Sequence, residues 1–163
     1  MIKNLPLLFL FILLPFLSSS QQIEVAELNN GQIEITVNSL ALSKAFAWTF
    51  RDGTKVTDLK VEQLSSQYFL VAYCVYQNHS RMAAIDLEVI GNKFYINEDA
   101  MFKVCSAVAC KNCKFFIENL RIVGCKCEET GTVSNHCHYR NLPVGGFTQN
   151  LNRAILLNKE RGE

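Results

Sequence analysis

Six of the seven cysteines stand in one stretch, spaced C-x4-C-x2-C-x11-C-x-C-x9-C: Cys105, Cys110, Cys113, Cys125, Cys127 and Cys137. Clustered thiols can oxidise to disulfides, hold a soft metal, or exchange electrons. Oxidation makes all six candidate half-cystines, and the sequence does not choose among their pairings. Metal binding would use Cys110, Cys113, Cys125 and Cys127 as a tetrahedral zinc set, with His136, Cys137 and His138 as further candidate ligands. Redox chemistry would use the C-x-x-C pair Cys110-Lys-Asn-Cys113. In thiol oxidoreductases that pair opens a helix after a βαβ start, whereas here it follows a run of strands. Cys125 and Cys127 are too close to pair comfortably with each other, so each is expected to reach a different partner.

The compartment arbitrates between these chemistries. Lys3 precedes an apolar run from Leu5 to Leu17, and Ser18-Ser19-Ser20 offers small residues for a cut after Ser20. That order reads as a secretory signal over residues 1–20, and the run is short of the roughly 20 residues a spanning helix needs. No other stretch is apolar for long enough to span, so no transmembrane anchor is expected after cleavage. Export to the cell envelope, periplasm or medium favours disulfides over metal, so no cofactor is expected and zinc is the alternative. Lys+Arg total 16 against 15 Asp+Glu, and loss of Lys3 brings them level. Nucleic-acid binding needs a basic surplus that this chain lacks.

The elements that must position the cysteines come largely before them. Ile23 and Val25, then Ile33, Ile35 and Val37, alternate around Asn29-Asn30-Gly31, which predicts a hairpin. The period changes over residues 39–51, where Ala41, Ala45 and Trp48 recur beside Leu42 and Phe46. That predicts a helix capped by Ser39 and stopped at Asp52-Gly53, with Phe46 and Trp48 against a sheet. Lys55 to Asn97 reads as an antiparallel β-meander. Its strand Tyr68–Gln77 is apolar at nearly every position, so it is expected to be covered on both faces. Asn78-His79-Ser80 and Gly91-Asn92 read as turns. The expected fold class is therefore α+β: a meander with one packed helix, followed by a small Cys-rich segment. The expected division is 21–100 for the α+β domain, 101–142 for the Cys-rich segment and 143–163 for the tail. Lys114–Val123 reads as one strand, Pro143 with Gly145-Gly146 as an exit loop, and Leu151, Ile155 and Leu156 as a short C-terminal helix.

Two resemblances attach to quoted residues. Cys105-Ser-Ala-Val-Ala-Cys110-Lys-Asn-Cys113 is similar to the C-x4-C-x2-C loop of plant-type [2Fe–2S] ferredoxins, with Cys137 as a conceivable fourth ligand. It lacks the glycines of those loops. Over most of its length the chain resembles uncharacterised exported proteins of Bacteroidetes-type bacteria. That likeness rests on "ALSKAFAWTFRDGTKVTDLKVE", "YFLVAYCVY", "AAIDLEVIGNKFYI" and the tail "CSAVACKNCKF…GCKC…HCH". It implies an envelope or secreted location and supplies no activity.

The remaining chemistry-bearing residues have bland readings. Cys74, in an apolar strand, reads as a small core hydrophobe and a free thiol. His79 reads as a solvated turn residue, with Asn78-His79-Ser80 also matching a glycosylation sequon. Asp52, Asp58, Asp86 and Glu88 read as turn or surface carboxylates. No nucleophile elbow, phosphate loop or H-E-x-x-H is present, so no catalytic residue is assigned. The sequence points to an exported, disulfide-stabilised domain with a binding or structural role. Its alternative is a zinc or thiol-redox module in the Cys-rich segment.

Overall fold

The computed structural model describes residues 22–129 and 136–161, and the expected signal segment lies outside them. β1 (Ile23–Asn29) and β2 (Gln32–Ile35) form the expected hairpin. Its two-residue turn, Asn30-Gly31, has positive φ at both positions, 50° and 80°, the backbone that joins twisted strands tightly. Helix α1 (Ser39–Phe50) follows, but its cap is Asn38 rather than Ser39. The Asn38 Oδ1 accepts from the amides of Leu40 and Ala41 at 2.9 and 3.1 Å, satisfying two otherwise orphaned donors.

The meander is present as β3 (Lys55–Leu64), β4 (Gln67–Tyr76), β5 (His79–Ile90) and β6 (Lys93–Ile96). A bulge between Val56 and Asp58 breaks the alternation of β3, which is why its apolar positions run 56, 59, 61. The β4–β5 turn is Gln77-Asn78, both at positive φ, so His79 and Ser80 belong to β5.

Two findings change the fold class from the expected one. First, the Cys-rich segment is itself strand: β7 (Met101–Ala107), β8 (Cys113–Glu118), β9 (Arg121–Cys127) and β10 (Cys137–Pro143). β5 pairs with β4 along one edge, and with β7 and then β6 along the other. β7 carries β10, and β6 pairs with β1. The result is one eight-stranded, nearly closed, barrel-like antiparallel sheet, so the protein is mostly β with two helices rather than an α+β meander. β7 shows no period-two pattern because both its faces are covered; its Lys103 is ion-paired with Asp86. Second, the tail forms α2 (Gly145–Arg161), which starts where an exit loop was expected and is longer than the short helix expected.

β4 and β5 are covered on both faces, as the composition of β4 predicted. On one face Leu70, Ala72, Ala83 and Ile85 share a core with α1 and α2. Phe46, Phe102 and Phe147 meet there, with ring centroids 4.7 Å (Phe46–Phe147) and 5.7 Å (Phe46–Phe102) apart. Each ring is fully buried and contributes roughly 1.5–3 kcal/mol of transfer free energy. The expected division near residue 100 thus falls between β6 and β7 of one sheet, and residues from both sides of it fill one core. On the opposite face Phe69, Val71 and Ala84 lie under β8 and β9. Lys114–Val123, expected as one strand, is a hairpin turning at Asn119-Leu120 with φ of 47° and 66°. No glycine or proline marks that turn. Among the described residues no helix is long and apolar enough to cross a membrane.

Candidate functional site

The β8–β9 hairpin is a separate two-stranded sheet, joined to the body through sulfur. Its cysteines stand at disulfide distance from partners in three places: Cys105–Cys125, Cys110–Cys127 and Cys113–Cys137. Their Cα separations, 5.7, 5.9 and 5.9 Å, fall where a bridge forms without moving backbone. The bridges run from β7 to β9, from the loop after β7 to the end of β9, and from the start of β8 to the start of β10. Cys125 and Cys127 do reach different partners.

This pairing separates several residues that spacing had grouped. Cys110 and Cys113 bond elsewhere rather than to each other, and Cys110 sits in a loop rather than at a helix N-terminus. Cys125, expected in the zinc set, is drawn away to Cys105. The ferredoxin-like trio of Cys105, Cys110 and Cys113 is divided among all three pairs. Two sulfur groups lie within 4.8 Å instead: Cys110 with Cys113 and Cys137, and Cys110 with Cys127 and the carboxylate of Glu129. His136 and His138 meet the cysteines through backbone. The His136 carbonyl lies 3.8 Å from Cys113 Sγ and accepts from the amides of Val108 and Ala109 at 2.8 and 3.2 Å, and the His138 carbonyl lies 3.7 Å from Cys125 Sγ.

Between the hairpin and the sheet is a cleft of about 660 Å³, the size that takes a small organic ligand. Leu64, Tyr73, Val75, Met82, Phe115 and Ile117 supply its apolar walls. Its charged groups largely answer one another. The Tyr73 hydroxyl donates to Glu62 Oε1 at 2.6 Å, and Lys60 Nζ lies 5.3 Å from the same ring. Burial, then the Glu62 hydrogen bond and charge, hold the Tyr73 phenol well above its ordinary range. At the rim Lys114 faces Glu128 at 3.5 Å. The Ser80 hydroxyl accepts from the Cys113 amide at 3.0 Å, which ties the start of the hairpin to β5. Among the described residues no histidine lines this space.

Searches against family models, curated proteins and solved structures return no match for this chain. Its chemistry therefore has to be read from the geometry. Arg81, which also lines the cleft, is held by partners of its own. Its guanidinium sits 4.9 Å from the Phe50 ring and 4.4 Å from the Tyr76 ring. It donates to Asp52 at 2.6 Å, to Ser106 at 3.0 Å, and to Thr54. Burial pushes the Asp52 carboxyl up, but hydrogen bonds from Thr54 and Arg81 outweigh it and hold the group below its usual value. Asp52 is thus an ion-pair partner as well as a turn residue, accepting from the Thr54 amide at 3.1 Å. Cys74 is free and buried, and burial pushes its thiol up to about 12, so the nucleophilic thiolate is scarce at neutral pH.

Sequence reasoning missed Arg81, Glu129 and the Tyr73–Glu62 pair. A cation in the otherwise apolar face Ala83, Ile85, Leu87 was a usable signal for Arg81. Glu129 gave none, because its approach to Cys110 follows from the Cys110–Cys127 pairing two residues before it.

Proposed function

We propose that this chain is an exported, disulfide-clamped binding module that takes a small amphipathic molecule in the cleft between the β8–β9 hairpin and the sheet. The cleft carries the proposal: about 660 Å³, apolar walls, and a charged lining of Glu62, Arg81, Lys114, Lys126 and Glu128. Export is supported by the signal-like segment at residues 1–20 and by three cysteine pairs, which persist in oxidising compartments. A binding rather than catalytic role is supported by the pairing-off of its polar groups. Tyr73 is held by Glu62, Arg81 by Asp52, and the Cys74 thiol is protonated.

The test uses an environment-sensitive anionic dye, anilinonaphthalene sulfonate, with the oxidised chain. The dye is expected to bind with one equivalent per chain, and Val75→Glu, a substitution at the half-open cleft wall, is expected to abolish that binding at unchanged thermal midpoint. Undiminished binding to the variant overturns the assignment of the cleft.

A further inference from the structure

Cys110, Cys113, Cys127 and Cys137, we propose, are a zinc site in the reduced chain, so that the same four sulfurs alternate between two disulfides and one tetrahedral metal centre. This proposal is independent of the cleft. Zinc–thiolate bonds of about 2.3 Å set sulfur–sulfur separations of about 3.8 Å in a tetrahedron. Cys110, Cys113 and Cys137 already hold their sulfurs within 4.8 Å of one another. Cys127 is bonded to Cys110 when oxidised and lies outside that group, so the set is completed when both disulfides open to about 3.8 Å and Cys127 moves in toward Cys113 and Cys137. Cys110 and Cys113 are the two-residue-spaced pair that structural zinc sites use, and Cys127 and Cys137 close the set from β9 and β10.

Burial agrees with a closed structural centre. Cys110, Cys113 and Cys127 are 5, 4 and 2% exposed, while Cys137 is half-buried and gives the ion a way in. Glu129 is the second observation. Its Oε2 stands 2.8 Å from both Cys110 Sγ and Cys127 Sγ. The other oxygen, Oε1, accepts from the Asn112 amide at 3.2 Å, but a disulfide has no proton to give Oε2. Beside thiols the same oxygen accepts an S–H, and beside a cation it is attracted.

The chemistry balances with a named reductant. Each disulfide accepts two electrons and two protons and becomes two thiols. A water-soluble phosphine supplies the electrons and leaves as its oxide, with the oxygen coming from water. Zinc then displaces one proton from each of four thiols. Cys105 and Cys125 lie outside the set and are not required.

The experiment uses the full mature chain, oxidised or phosphine-reduced without air, and Co²⁺ or Zn²⁺ alone as probe. One Co²⁺ per reduced chain is expected, with thiolate charge-transfer and tetrahedral ligand-field bands, and none for the oxidised chain. The Cys105→Ser/Cys125→Ser double variant should keep the full signal and Cys113→Ser/Cys137→Ser should lose it. A second measurement needs no variant: in the zinc-loaded parent, alkylation should spare the four proposed ligands and modify Cys105 and Cys125, and amide protection should return over Cys113–Cys127. No metal in the reduced chain, equal protection of all six cysteines, or no return of amide protection each overturns the proposal.

Discussion

Reduction without metal should release the β8–β9 hairpin and leave the rest of the fold standing. The three pairs close stretches of 20, 17 and 24 residues. In the chain-entropy model each is worth about 3 kcal/mol, with overlap because the loops interlock. Apart from these bridges, the hairpin is fastened chiefly by Phe115 and Ile122, which are 6 and 7% exposed. Burying them supplies roughly 1.5–3 kcal/mol apiece. Ordering the backbone from Cys113 to Cys127 costs about 1–2 kcal/mol per residue, and an isolated two-stranded hairpin barely offsets that. The helix-side core needs no sulfur, because Phe46, Phe102, Phe147 and Leu151 meet there without a bridge. The assay is phosphine reduction in native buffer, followed by amide exchange and by emission of the single tryptophan. Trp48 packs against the helix-side core with Arg153 5.3 Å from its ring. Residues 113–127 should lose protection, while β4, β5, α1 and α2 keep it and Trp48 emission stays put. Emission that moves to the unfolded position would show that the bridges hold the helix-side core as well, and the reasoning would fail.

Four further outcomes follow from the same geometry. Arg81→Met should destabilise by an amount near the lower end of about 3–5 kcal/mol, because it strands a partly buried Asp52; urea midpoints measure it, and a change within the noise of the extrapolation contradicts the pairing. Asp52 has a depressed folded value, so its contribution is present above the unfolded value of about 4 and drains away as pH falls through the folded one. Asp52→Asn should flatten that acid limb of the stability profile, and an unchanged limb counts against it. Cys74 should resist iodoacetamide in the native oxidised chain at neutral pH, since its thiol titrates near 12; a stoichiometric adduct on mass analysis would be inconsistent with its burial. Leu120→Gly should stabilise by up to about 1 kcal/mol, by relieving a left-handed backbone at φ 66° that leucine disfavours. A loss of stability on urea titration would mean that the exposed Leu120 side chain contributes packing.

The legible parts of this sequence are those where one physical rule acts alone. Asn30-Gly31 fixes a hairpin through backbone sterics, and the uninterrupted apolar run of β4 reports burial on both faces. β7 and β10 were not legible. In β7 Lys103 is hidden by a charge partner, Asp86, whose proximity exists only after β5 and β7 align. In β10 five of the seven positions are exposed, and its pairing follows from an available edge on β7 rather than from a buried face of its own. The break between β8 and β9 fell on Asn119-Leu120, residues with no turn signature. For the site, the oxidation of the cysteines was readable from their number and the signal-like leader. Which sulfur meets which depended on strand registers that spacing does not encode.

Ribosomes make proteins from the amino terminus, and that order matters for a platform with two covers. α1 is made before β4 and β5, but the hairpin comes only at residues 113–127 and α2 at residues 145–161. Until then Phe69 and Val71 on one side face solvent on a nascent sheet, and Leu70 and Ile85 on the other have α1 alone to pack against. Such an interval favours aggregation, and it ends by two unrelated events, electron transfer on one side and helix docking on the other. A cell that makes this chain must therefore keep it from sticking to itself until its last residues are out and its thiols have been oxidised.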